Sequence, residues 1–200
     1  MAVIDDYAWV LGDHPLDDIY CVSFIKGVPP DEVLRRFGTN AETMAEMTFD
    51  ELSELSLSDH DGLPAGAGAV KVGDWTMLVE PGGFSAAVDQ QTITRLSRNT
   101  ELVAVCYHEF ASDSFAYAVD GEMVVWFDPV QPDARSGADP DRLVGEMRAA
   151  GLDPDHDFDR DPDIDNWIGR SFILAASITG VPFTLDLLAL PFLGAEMPEG

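Results

Sequence analysis

Apolar and polar positions along the chain follow two periods, and the points where the period changes mark the elements. Residues 18–25 (DIYCVSFI) are aromatic and β-branched almost throughout, which predicts a strand. After Gly27, residues 29–38 (PPDEVLRRFG) switch to helical spacing. Proline and acids fill the first turn, arginines the last, and Gly38 takes the C-cap position; Val33, Leu34 and Phe37 share the inner face. Residues 41–55 set Met44, Met47, Leu52 and Leu55 in acidic surroundings. They read as one broken helix, or as a helix followed by a second from near Thr48. Residues 56–68 hold Asp59, Asp61, Gly62, Pro64, Gly66 and Gly68 and read as a loop.

Two hairpins come next. Residues 69–72 and 75–80 flank Gly73-Asp74, and residues 114–119 and 123–127 flank Asp120-Gly121-Glu122. Between them lie a helix from near Ala87 through 91–97 and a strand at 101–107. Residues 131–138 read as a loop, 139–150 as a helix, 166–179 as an apolar helix closed by Gly180, and 184–190 as a short last helix with Thr184 as N-cap. The remaining tail is rich in proline and glycine. Tight turns between strands imply antiparallel pairing. The expected class is therefore α+β: one domain over residues 1–200, with a mostly antiparallel sheet of about six strands and helices on one face and at the ends. Residues 1–17 are expected as an N-terminal arm, 152–165 as an acidic connector and 166–190 as C-terminal helices.

Composition supports a packed core, since 46% of the 200 residues are hydrophobic. Charge changes the picture more. The chain has 37 acidic and 11 basic side chains, a formal charge of -26. Nucleic acid needs clustered Lys and Arg, and only Arg35-Arg36 are adjacent here, so nucleic-acid binding is not expected. Anionic membrane surfaces are disfavoured for the same reason. A basic partner protein would be attracted and its capture accelerated. The N-terminus lacks the charged and apolar regions of a secretory signal, and no stretch reaches the roughly 20 apolar residues of a spanning helix. Cys21 and Cys106 sit in apolar strand-like runs and read as buried free thiols. The expected location is the cytoplasm.

The run DPDHDFDRDPDID places an aspartate at every second position from 153 to 165. A divalent-cation site would draw on Asp153, Asp155, Asp157 and Asp159. Calcium loops of the EF-hand kind need a glycine at position 6 and a glutamate at position 12, and every register of this run lacks both. Pro154 and Pro162 favour extended conformations before them, so the run also reads as a solvated connector whose last aspartates, Asp163 or Asp165, cap the next helix.

Other chemistry is sparse. Each histidine has an acidic neighbour, but no HExxH or His-x-His spacing occurs, no GxSxG and no phosphate loop. No cofactor is implied. An enzymatic centre, if present, would be sought at His108 and Glu109, with Asp113 nearby. The loop residues Asp59, Asp61, Phe84, Asp155 and Asp157 are candidates for contact with a basic partner.

Several stretches resemble an uncharacterised actinobacterial family of unknown function. They are GVPPDEVLRRFG (27–38), VGDWTMLVEP (72–81), LSRNTE (96–101), AVDGE (118–122), TGVPFTLDLL (179–188) and PFL (191–193). The resemblance spans most of the chain and implies no activity or functional residue. Small acidic α+β domains of this type resemble immunity or accessory proteins of bacterial conflict systems, by analogy alone. The leading expectation is a non-enzymatic module that binds another protein.

Overall fold

The structure, a computed structural model, describes residues 4–11, 15–16, 18–57, 66–155 and 165–198. The described residues form nine strands: β1 (Ile19–Lys26), β2 (Ala45–Met47), β3 (Gly66–Val72), β4 (Trp75–Pro81), β5 (Glu101–His108), β6 (Ser114–Val119), β7 (Glu122–Asp128), β8 (Gln131–Ser136) and β9 (Phe192–Glu196). They make one sheet in the order β2-β9-β3-β4-β1-β5-β6-β7-β8. Every pairing is antiparallel. The α-helices are α1 (Pro30–Phe37), α2 (Phe49–Leu57), α3 (Ser85–Val88), α4 (Gln90–Leu96), α5 (Val144–Ala150), α6 (Trp167–Thr179) and α7 (Leu185–Leu188).

The α+β class stands, but the expected strand count and helix placement are corrected. Three strands were not expected. Residues 45–47 form β2 instead of continuing a helix. Residues 131–136 form β8, a polar edge strand paired only to β7 and carrying Pro132, Asp133 and Arg135, the residue types that suit an edge. The proline- and glycine-flanked tail forms β9, which inserts between β2 and β3. Gly194 of β9 has Met47 packed where a Cβ would stand, and Gly68 of β3 has Leu52 and Phe192 there. These glycines permit close approach rather than marking a loop.

Helices cover both faces of the sheet, not one. On one face Tyr20, Val22, Phe24, Val105, Phe115 and Phe127 meet the N-terminal 3-10 helix (Ile4–Leu11), α2, α5 and α6. On the other, Cys21, Ile25, Leu78, Leu102, Ala104 and Ala116 meet α1, α3 and α4. Both faces of the central strands are therefore apolar, which is why β1 reads as a near-continuous hydrophobic run. Helix α1 begins with Pro30 and ends at Gly38 in the left-handed conformation, as its sequence pattern implies. Helix α2 starts after Thr48, whose side chain and amide exchange hydrogen bonds with Glu51 in a capping box. Helix α6 is capped by Asn166 Oδ1, which accepts from Gly169 N at 2.9 Å, rather than by an aspartate of the acidic run.

Candidate functional site

At one end of the sheet β4 finishes, β1 begins, and the turn from β5 to β6 is made. Backbone bonds lace these ends together: Gly82 N donates to Ile19 O, and Glu109 N to Asp18 O. On this scaffold the ring of Phe84 lies 5.4 Å from that of His108, and the ring of Phe110 lies edge-on at 6.4 Å from the same imidazole. Phe110 N donates to His108 Nδ1 at 3.3 Å. Val88 follows Phe84 by one helical turn of α3. Phe84 (39% exposed), Val88 (44%) and Phe110 (74%) are three of the four large hydrophobic side chains exposed among the described residues; the fourth is Leu185. Exposed Asp18, Asp89 and Glu109 rim this strip.

Asp113 anchors the strip from below. Its Oδ1 accepts from His108 N at 2.8 Å and its Oδ2 from Trp167 Nε1 at 2.6 Å. Burial pushes its carboxyl up to about 6, against the hydrogen bonds that favour the charged form. Asp128 is raised by burial as well. Of the residues first sought for catalysis, His108 and Asp113 thus meet through the His108 backbone, and Glu109 is exposed beside them. Both Asp113 oxygens are engaged in positioning bonds.

The cation-site candidates separate differently. Asp153 Oδ1 accepts from Asp155 N at 3.1 Å, a local turn, and Asp155 Oδ2 accepts from Arg148 Nη2 at 3.0 Å. Asp157 and Asp159 lie outside the described residues, as do the partner candidates Asp59 and Asp61. No group of three or more His, Cys, Asp or Glu suited to a metal occurs among the described residues. Phe84 and Asp155, the two partner candidates within the described residues, are both exposed. A separate cleft of about 520 Å³, lined by Asp6, Tyr7, Trp9, Phe183, Leu185 and Asp186 among others, holds none of the candidate catalytic, cation or partner residues.

The model of a family of unknown function, DUF6461, matches residues 1–199. The chain belongs to that family. No curated protein and no solved structure matches it. Among the described residues of this DUF6461 chain, no helix is long and apolar enough to cross a membrane.

Sequence reasoning missed the most heavily buried carboxylate in this region. Glu80, 1% exposed, is the last residue but one of β4. Its two carboxylate oxygens accept from Ser85 N at 2.8 Å and Ala86 N at 2.9 Å, capping α3. Burial pushes its carboxyl up to about 7 against those bonds. A glutamate within an apolar strand, five residues before a short helix, was the available signal.

Proposed function

We propose that this protein is a non-catalytic binding module that docks a basic partner protein on the Phe84–His108–Phe110 strip. One observation carries the reading: two of the four large hydrophobic side chains exposed among the described residues, Phe84 and Phe110, flank the His108 ring beside acidic neighbours. Exposed apolar groups collected in one place favour an interface, where scattered ones would need no explanation. Aromatic anchors supply most of the binding energy in such contacts. The acidic rim and the net charge of -26 select a cationic surface and speed its capture. The partner chemistry fits an immunity-like or accessory role, in which an acidic protein masks the basic working surface of a toxin or effector. Cytoplasmic location belongs to the same proposal.

The test is affinity purification of the tagged full chain at low salt, in parallel with a Phe84→Ser/Phe110→Ser variant, with mass spectrometry of what is retained. A stoichiometric basic protein that is released by raised salt and absent from the variant supports the reading. Retention of the same partner by the variant places the interface elsewhere and overturns it.

A further inference from the structure

Beneath α3, a carboxyl, two thiols and a hydroxyl form one row across the sheet. The register pairs Glu80 of β4 with Cys21 of β1, Cys21 with Cys106 of β5, and Cys106 with Ser114 of β6. All four are within 1% of full burial. Around them the packing is small and apolar, with Ala86, Ala87, Ala104 and Ala116. The Ser114 hydroxyl has no hydrogen-bond partner. The register sets Cys21 directly opposite both Glu80 and Cys106, and Ser23 Oγ is 3.6 Å from its sulfur. A carboxyl and an unpartnered hydroxyl are unexpected contents for the apolar centre of a sheet.

We propose that Cys21 and Cys106 are an oxidation site: a hydroperoxide converts them to a reversible cross-strand disulfide, with Glu80 as the proton acceptor. Three features support this. Directly opposed residues of an antiparallel pair have Cα atoms about 4.5–5.5 Å apart. A disulfide spans about 4.4–6.8 Å, so the register brings the two Cα atoms within the range a disulfide needs. Glu80 offers a carboxylate on the residue directly opposite Cys21, where water is excluded. The cover over the row is also thin. Residues 82–88 begin with Gly82 in the left-handed conformation, and the four-residue helix α3 is held by Glu80 at its start and by the Trp126 Nε1 bond to Ala87 O at its end. Oxidation requires this strap to lift, because both sulfurs are covered in the closed chain.

In the first step the Cys21 proton passes to the Glu80 carboxylate, and the thiolate sulfur attacks one peroxide oxygen. The O–O bond breaks, giving a sulfenic acid and hydroxide, which takes the proton back from Glu80 as water. The Cys106 sulfur then attacks the sulfenic sulfur. The S–S bond forms, and the sulfenic hydroxyl leaves with the Cys106 proton as a second water. Two thiols lose two electrons and two protons, and one peroxide becomes two waters. Burial raises the Cys21 thiol well above its ordinary range, so attack is slow while the sulfur stays covered.

The experiment treats the native full chain with hydrogen peroxide and follows intact mass and non-reduced peptide maps. The expected result is a loss of about 2 mass units, a single peptide linkage joining Cys21 to Cys106, and full reversal by dithiothreitol. Glu80→Gln is expected to slow formation by about ten-fold or more and to abolish the rise in rate through neutral pH. Independent addition of oxygen to each cysteine, an intermolecular linkage, or two unmodified thiols would overturn the proposal, and the unsubstituted chain alone is enough to show any of these. An unchanged pH profile in Glu80→Gln would overturn the role of Glu80.

Discussion

Trp167 Nε1 donates to Asp113 Oδ2 at 2.6 Å, joining α6 on one face of the sheet to the β5–β6 connection that follows His108 and carries Phe110. The bond is long-range in sequence and lies at a mostly buried carboxylate. Replacing Trp167 by Phe leaves that oxygen without its donor, at a cost of about 1–3 kcal/mol. It also removes a bond that favours the charged form, so the Asp113 midpoint should climb from about 6. Urea denaturation reads the first effect and carboxyl-carbon NMR titration the second. A variant with an unmoved midpoint would show that the indole is not the partner.

Stability should fall as pH rises from about 4.5 to 7, opposite to the usual acid-denaturation slope over that range. Glu80 and Asp113 hold protons to about 7 and about 6 in the folded chain, while the unfolded chain releases them near ordinary carboxylate values. In that window the native state binds more protons, so raising pH favours unfolding. For Glu80 the rise from 4.5 to about 7 corresponds to roughly 3 kcal/mol at most. Mutual repulsion within a chain of net charge -26 acts in the same direction. Asp31, Glu51, Asp89 and Glu101 are lowered by their hydrogen-bond partners, so their contributions vanish only below that window. Urea midpoints at pH 4.5, 6 and 8 should decline in order, and Glu80→Gln should flatten the decline. Equal slopes in both proteins would contradict the assignment to Glu80.

The close approach at Gly68 offers a third measurement. A Cβ there collides with Leu52 on α2 and presses on Phe192 of β9. Gly68→Ala should destabilise the fold by about 1–3 kcal/mol through overpacking. Leu52→Ala alone opens a cavity and should cost about 2–5 kcal/mol. The double variant should be more stable than the sum of the two losses, because each change relieves the other. Additive losses in thermal unfolding would mean that α2 does not press on β3.

Strands whose side chains bury on both faces were legible, because β1 and β5 carry their own β-branched and aromatic runs. So was α1, whose proline, charges and closing glycine are all local signals. Strand β9 was not, since its pairing partners β2 and β3 lie more than a hundred residues earlier and its glycine is explained only by Met47 packed against it. The same limit hid the site. Phe84 and His108 each stand out along the chain, but their ring contact depends on how the ends of β4 and β5 are brought together. The row from Glu80 to Ser114 depends on the register of three strand pairs, and register is a tertiary property.

Phe110 and Phe84 should be dispensable for folding if they serve an interface. Phe110 is 74% exposed and touches the protein mainly through the edge of His108, so Phe110→Ser should change stability by no more than about 0.5 kcal/mol. Phe84 packs over His108 at the start of α3, and its loss should be felt slightly more. Phe115, fully buried against Phe127 with ring centroids 5.0 Å apart, provides the contrast: Phe115→Ala should cost about 3–5 kcal/mol. Binding of the dye ANS should drop in the Phe84→Ser/Phe110→Ser variant while its melting temperature stays near that of the parent, because the strip is exposed apolar surface. A large fall in melting temperature would instead make the two rings part of the core, and the docking strip would lose its main support.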